Sequence, residues 1–232
     1  MDPVQQVAGN ASLAMMLVLL LGLAWRGLWR VTYAFTAYLC AVAACSLLMR
    51  TWPVTFYTME FYVQKECLYG LLKLALAVEL ALLAFVRLPG ARLLARAALG
   101  LGGTLLALAL AFRLSHAPDA FAVTERLLPL LANGTALLFA AVWGLALYFH
   151  VPLHPLHRAL LRGFVPYLLV FALLLNLLRR LGWELRPVVG WADGFAYAAM
   201  LAYWAYTVWR LPLLPPADPD LVDELQPWRT GR

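Results

Sequence analysis

Three ionisable side chains stand in one long apolar run, which reads Glu66-Cys-Leu-Tyr-Gly70-Leu-Leu-Lys73-Leu-Ala-Leu-Ala-Val-Glu79. A charged group in hydrocarbon costs about 3 kcal/mol unless it is paired or hydrated, so such groups turn inward and are candidates for function. Glu66 and Lys73 are seven positions apart. That is close to two helical turns, which puts them on one helix face. The helical rise sets Lys73 about 10 Å deeper than Glu66, and Glu79 about 9 Å deeper again and ~240° round from Lys73. Glu79 therefore cannot pair with Lys73 along its own helix and needs a partner from another span, a trapped water or a proton. Two readings stay open. In one, Lys73 snorkels to the outer surface and a protonated Glu79 bonds to a neighbouring helix. In the other, the charges bind a ligand or couple protons.

Other spans add weaker polar groups. Asn133, Asn176 and Asp193 fall in the outer halves of their apolar runs. With Glu66, Tyr69 and Lys73 they are expected to line a pocket open to the outside. Each asparagine alone also serves as glue between helices. His150, His154 and His157 form HVPLHPLH. The spacing suggests a metal, but Pro152 and Pro155 are expected to break any helix there, and no Cys, Asp or Glu stands nearby. No metal and no cofactor are expected. Cys40, Cys45 and Cys67 do not make a disulfide framework, although Cys45 and Cys67 are placed to be neighbours. Gly100, Gly102 and Gly103 read as helix packing, since a phosphate loop needs a preceding strand and a following Lys-Ser/Thr. Signatures of a Ser-His-Asp triad, a zinc-protease helix or a dinucleotide fingerprint are missing. No catalytic residue is assigned, and nothing supports an enzyme.

The elements that must hold these groups are transmembrane helices. Of 232 residues, 64% are hydrophobic and 13% charged, too apolar a balance for a water-soluble domain. Seven apolar runs approach the ~20 residues that cross a bilayer: Ala8–Trp25, Val31–Met49, Glu66–Val86, Leu93–Phe112, Leu127–Phe149, Leu160–Leu178 and Val189–Trp209. Inside hydrocarbon, runs of this length must be helical to satisfy their backbone, and they lack the alternation of barrel strands. The first run follows a start without basic residues and continues into a span, unlike a signal peptide. The segment Thr51–Lys65 is rich in Trp, Phe and Tyr and reads as an interfacial helix or hairpin. Pro166 is expected to kink or hinge the sixth span.

Seven spans put the termini on opposite sides. The connections Arg26–Arg30, Arg87–Arg96 and His150–Arg162, with Arg210, hold eight arginines and no acid, against seven basic residues on the other side. The positive-inside bias therefore favours N-terminus outside and C-terminus cytoplasmic, with Arg179 and Arg180 as the main counterweight. The net charge of +6 comes from arginines spread singly or in pairs at the ends of apolar runs. That is an interfacial pattern, and no nucleic-acid partner is expected. Residues 1–210 are read as the transmembrane domain. Residues 211–232 are read as a Pro-rich acidic cytoplasmic tail that offers a protein partner a docking segment. No internal repeat supports an inverted-repeat transporter.

Glu125-Arg126 opening the fifth span, Arg162-Gly163 opening the sixth, and Ala202-Tyr203-Trp204 to Trp209-Arg210-Leu211-Pro212 closing the seventh resemble uncharacterised seven-helix integral membrane proteins of soil bacteria. The resemblance covers about half the chain. It implies a seven-helix bundle in a bacterial inner membrane and carries no activity, ligand or catalytic residue. Retinal-binding rhodopsins share the helix count, but the run Val189–Trp209 has no lysine to form a Schiff base.

The expected molecule is thus an all-α, polytopic bundle of seven helices. Its expected role is that of a sensor-like protein or accessory subunit, with the lipid bilayer around it and a small ligand entering from the outer side. The candidate ligand or coupling residues are Glu66, Tyr69, Lys73, Glu79, Asn133, Asn176 and Asp193. A small-molecule or proton-coupled transporter using Lys73 and Glu79, and a structural subunit of a larger membrane complex, are the alternatives.

Overall fold

The structure, a computed structural model, describes residues 3–85 and 120–212. The fourth expected span, Gly100, Gly102, Gly103 and most of the tail lie outside the described residues. Every described regular element is helical. In chain order they are α1 (Pro3–Trp25), a 3₁₀ turn (Leu28–Arg30), α2 (Tyr33–Thr51), the short α3 (Pro53–Phe56), α4 (Met59–Phe85), α5 (Ala120–Tyr148), α6 (Pro155–Leu181), a 3₁₀ turn (Trp183–Leu185) and α7 (Arg186–Arg210).

Four helical stretches are long and apolar enough to cross a membrane: Tyr33–Thr51, Met59–Ala84, Pro129–Tyr148 and Pro155–Leu181. The apolar part of α1, Gly9–Trp25, is shorter. Helix α7 is not among the four, since Gly190, Asp193, Gly194 and several Tyr and Trp residues dilute its hydropathy.

The segment Thr51–Lys65 is mostly helical. Trp52 ends α2, Pro53 starts a single turn, and α4 begins at Met59, seven residues before the apolar run. Pro155 occupies the first turn of α6, where its missing N–H costs nothing. It opens a helix there instead of breaking one. Pro129 and Pro166 sit inside continuous helices. Glycine in the left-handed region turns the chain at the ends of α1 and α6, with φ of 68° at Gly27 and 98° at Gly182.

The six long helices among the described residues form a closed ring. α1 packs on α2 and α7, α2 on α4, α4 on α5, α5 on α6, and α6 on α7. Side-chain pairs fix their directions. Tyr33 meets Glu79 while Tyr38 meets Tyr69, so α2 and α4 are antiparallel. Asn133 meets Asn176 while Phe139 meets Phe164, so α5 and α6 are antiparallel. Tyr167 meets Tyr197 while Ala159 meets Trp204, so α7 also opposes α6. Helices α1, α4, α5 and α7 therefore begin at one face, the near face. The far face carries Arg26–Arg30, His150–His154 and Arg210. Neighbouring α4 and α5 run parallel, so the chain leaves α4 at the far face and enters α5 at the near face.

The ring closes on aromatic packing. Phe35, Phe139, Phe164 and Trp204 are buried, with ring centroids 4.5 Å apart for Phe164–Trp204 and 5.0 Å for Phe35–Trp204. Gly163 makes room for the indole, since a Cβ there would stand 2.3 Å from Trp204 Nε1. That nitrogen donates to the Ala159 carbonyl at 3.2 Å. The outside of the ring is apolar too: Leu71, Leu137 and Phe195 are each more than 60% exposed. Exposed Trp25, Tyr33 and Tyr148 flank it at the far face and Trp52 and Tyr57 at the near face, where amphipathic rings suit a membrane–water boundary.

Candidate functional site

Helices α4, α5 and α6 enclose a small cavity in the near half, lined by Glu66, Gly70, Lys73, Leu131, Thr135 and Phe171. It has room for about one water molecule. The small Gly70 lets Leu131 approach α4. Glu66 faces Lys65 across 3.4 Å, and the Thr135 hydroxyl donates back to the Leu131 carbonyl of its own helix at 2.7 Å. The Lys73 ammonium lies 5.7 Å from the Phe171 ring centroid and makes no ion pair or hydrogen bond among the described residues. Its three N–H donors thus face the cavity with an aromatic ring as their described contact.

Asp193 on α7 lies within electrostatic reach of Lys73 and Glu66 and beside the Tyr167 hydroxyl. Its Oδ1 is buried with no hydrogen-bond partner among the described residues, and so is the Tyr197 hydroxyl one turn on. Tyr167 and Tyr197 have ring centroids 5.6 Å apart, and Tyr38 and Tyr69 6.2 Å apart. The four tyrosines come from four helices, and Tyr167 and Tyr197 lie beside Asp193. A buried polar atom left unpaired costs roughly 1–3 kcal/mol, so this cluster is held at a cost to stability.

Asn133 and Asn176 find each other. Asn176 Nδ2 donates to Asn133 Oδ1 at 2.9 Å and to the Ala172 carbonyl at 2.7 Å. This bond ties α5 to α6, and neither residue lines the cavity at Lys73. Their place is that of interhelical glue.

Glu79 is elsewhere, at the far end of α4. Its Oε2 accepts from the Thr32 hydroxyl at 3.0 Å and the Ala34 N–H at 2.9 Å, and its Oε1 accepts from the Tyr33 N–H at 2.9 Å. Thr32 is the N-cap of α2 but makes no side-chain cap bond. The carboxyl of another helix supplies the cap and sits at the positive end of the α2 dipole. Trapped water or a proton is not needed to satisfy it.

The far-face histidines are structural as well. His154 caps α6, its Nδ1 accepting from the Leu156 N–H at 3.2 Å. Burial pushes its imidazole below the usual range. His157 is buried in the first turn, with Nε2 3.2 Å from the Val31 carbonyl. Because Pro155 starts the helix, the His154 and His157 rings lie together, 5.5 Å between centroids. No group of three or more His, Cys, Asp or Glu able to hold a metal occurs among the described residues. The three cysteines are free thiols.

The sequence pattern singled out neither Tyr38, Tyr167 and Tyr197 nor Phe171. The available signal was a tyrosine well inside an apolar run, where an aromatic belt would not put it. No protein-family profile, no curated protein and no solved structure matches the chain.

Proposed function

We propose that this chain is a seven-span protein of a bacterial inner membrane, with its N-terminus outside and the far face cytoplasmic, and that it works as a sensor-like protein or accessory subunit. A small polar ligand enters the Lys73 cluster from the outer side. The parallel course of α4 and α5 supports the span count, because α4 ends at the far face and α5 begins at the near face. The far-face arginines support the orientation.

The observation that carries the ligand reading is the set of unpartnered groups. The ammonium of Lys73 seeks an acceptor, Asp193 Oδ1 seeks a donor, and the Tyr197 hydroxyl can be either. Nearby charges balance: Lys65 and Lys73 stand against Glu66 and Asp193. A guest without net charge, bearing an acceptor at one end and a donor at the other, matches that pattern, and small zwitterions fit the description. The cavity as it stands holds about one water molecule, so binding requires the Phe171 and Leu131 side chains to move aside. The transporter alternative uses Lys73 and Glu79 together. The three bonds from Glu79 to the start of α2 favour the ligand-binding reading over it.

The test is thermal melting of detergent-solubilised protein against a panel of amino acids and small carboxylates. At least one compound is expected to raise the melting temperature of the wild type and not that of Lys73→Ala. Equal shifts in both proteins would remove the pocket.

A further inference from the structure

The far face presents a second set of groups, built around arginine. Four guanidinium groups each lie over an aromatic ring: Arg26 over Trp209 at 5.8 Å, Arg30 over Trp29 at 5.2 Å, Arg162 over Trp143 at 6.0 Å and Arg210 over Tyr206 at 4.5 Å. Stacking occupies the flat face of a guanidinium and leaves its N–H edge turned outward. Arg26 Nη2 donates to the Trp209 carbonyl, and Trp209 Nε1 donates to the Val18 carbonyl at 3.3 Å, so Arg26 is pinned across the seam between α1 and α7. Its Nε is buried and has no partner among the described residues. Arg210 follows Trp209 in the chain and is exposed.

Among the described residues no carboxylate offsets these charges. Glu79 is the one described acid at the far end of the bundle, and its bonds all go to α2. The near face differs, since Lys65 has Glu66 there. Arg26, Arg30 and Arg210 stand at or just beyond the ends of α1 and α7, beside the exposed Trp25 and Trp29 rings, a placement that suits the membrane–water boundary. Unpaired guanidinium edges prefer oxyanions that accept two parallel N–H bonds.

We infer that the arginine–aromatic pairs of the far face, centred on Arg26 and Arg210 at the α1–α7 seam, bind the phosphate of an anionic phospholipid. A zwitterionic lipid brings its own cation and so adds no net negative charge to offset the arginines. An anionic headgroup supplies the negative charge that Arg26 and Arg210 lack among the described residues. This site is separate from the Lys73 cluster and does not depend on the ligand reading.

The experiment titrates phosphatidylglycerol, phosphatidylcholine or inorganic phosphate into protein held in a neutral detergent. The readout is the melting temperature from tryptophan fluorescence. Phosphatidylglycerol is expected to raise it saturably, and the other two are not. Arg210→Gln is read first, because Arg210 only stacks on Tyr206, whereas Arg26 also holds the end of α7. It is expected to weaken the apparent affinity for phosphatidylglycerol roughly fivefold, the worth of one interfacial arginine. Arg179→Gln with Arg180→Gln, at the near face, is expected to leave the affinity unchanged. Equal shifts from both lipids would overturn the proposal. So would an undiminished affinity in Arg210→Gln, or an equal loss in the near-face variant. If inorganic phosphate reproduced the full shift, the site would belong to a soluble anion, and the lipid assignment would fall.

Discussion

Helix α4 carries a charge-bearing side chain in each half of the bundle, and the two have opposite surroundings. Glu79, at the far end, accepts three hydrogen bonds from the start of α2. Lys73, in the near half, donates none among the described residues and lines a cavity with Glu66 and Thr135, while Asp193 within its electrostatic reach and Tyr197 beyond have atoms without a described partner. Depth in the sequence does not separate them, since both are stranded in the same apolar run. What separates them is whether neighbouring groups complete their bonding. A charge whose every valence is met by its own chain holds the fold. A charge left facing a cavity, beside other idle polar atoms, is kept at a cost to stability, and that cost is the ground for the proposed ligand site.

The largest effect should come from emptying the far site. Glu79→Ala leaves the Tyr33 and Ala34 N–H groups and the Thr32 hydroxyl without their acceptor at the end of a membrane helix. Losing a charge-assisted cap costs about 2 kcal/mol, equivalent to a fall in melting temperature of about 4–8 °C for a chain of this size. Glu79→Gln keeps one acceptor oxygen and should fall between the two. A melting temperature within a degree of wild type for Glu79→Ala would erase the distinction between the two charges.

Lys73→Met should move stability the other way, by less. Replacing a buried ammonium that has no partner among the described residues with an apolar chain of similar length removes a desolvation penalty without breaking a described bond. The melting temperature should stay level or rise by a few degrees, while any ligand-induced shift disappears. A fall as large as that of Glu79→Ala would mean that Lys73 is held by partners as Glu79 is, and that its role is structural.

How much of this was legible beforehand follows from the same contrast. Hydropathy alone placed the long helices, because the backbone has no option in hydrocarbon except to bond internally. Helical spacing alone put Glu66 and Lys73 on one face and showed that Glu79 had to look to another element. The identity of that element was hidden. The start of α2 lies more than forty residues away, and only the ring order of the helices brings Thr32 to Glu79. Asn133 and Asn176 were grouped with Lys73 by depth alone, but depth does not fix rotation about the helix axis, and the two asparagines bond each other. Tyr38, Tyr167 and Tyr197 were missed because tyrosine in a membrane protein has a common interfacial role, and an interior one reveals itself only when its neighbours are known. Pro155 was taken for a helix breaker in HVPLHPLH because proline interrupts helices in their interior, yet at the first turn it costs no bond.

The smallest expected effect lies at that turn and separates the far face from the near one by acidity. His154 caps α6 by accepting a hydrogen bond at Nδ1, and only an unprotonated Nδ1 can do so. Burial lowers the proton affinity of this imidazole in the folded protein. The unfolded chain therefore binds a proton at higher pH than the folded one. The contribution is fully present above the ordinary imidazole value of about 6.5 and is lost as pH falls from there through the lower folded value. His154→Asn keeps a side-chain acceptor of good capping strength but has nothing to titrate. Melting curves between pH 7.5 and pH 5 should show the wild type losing about 1–2 °C more than the variant, the share of roughly half a kcal/mol in a chain of this size. Parallel curves would mean that the cap is indifferent to protonation, so that Glu79, not His154, sets the strength of the far junction.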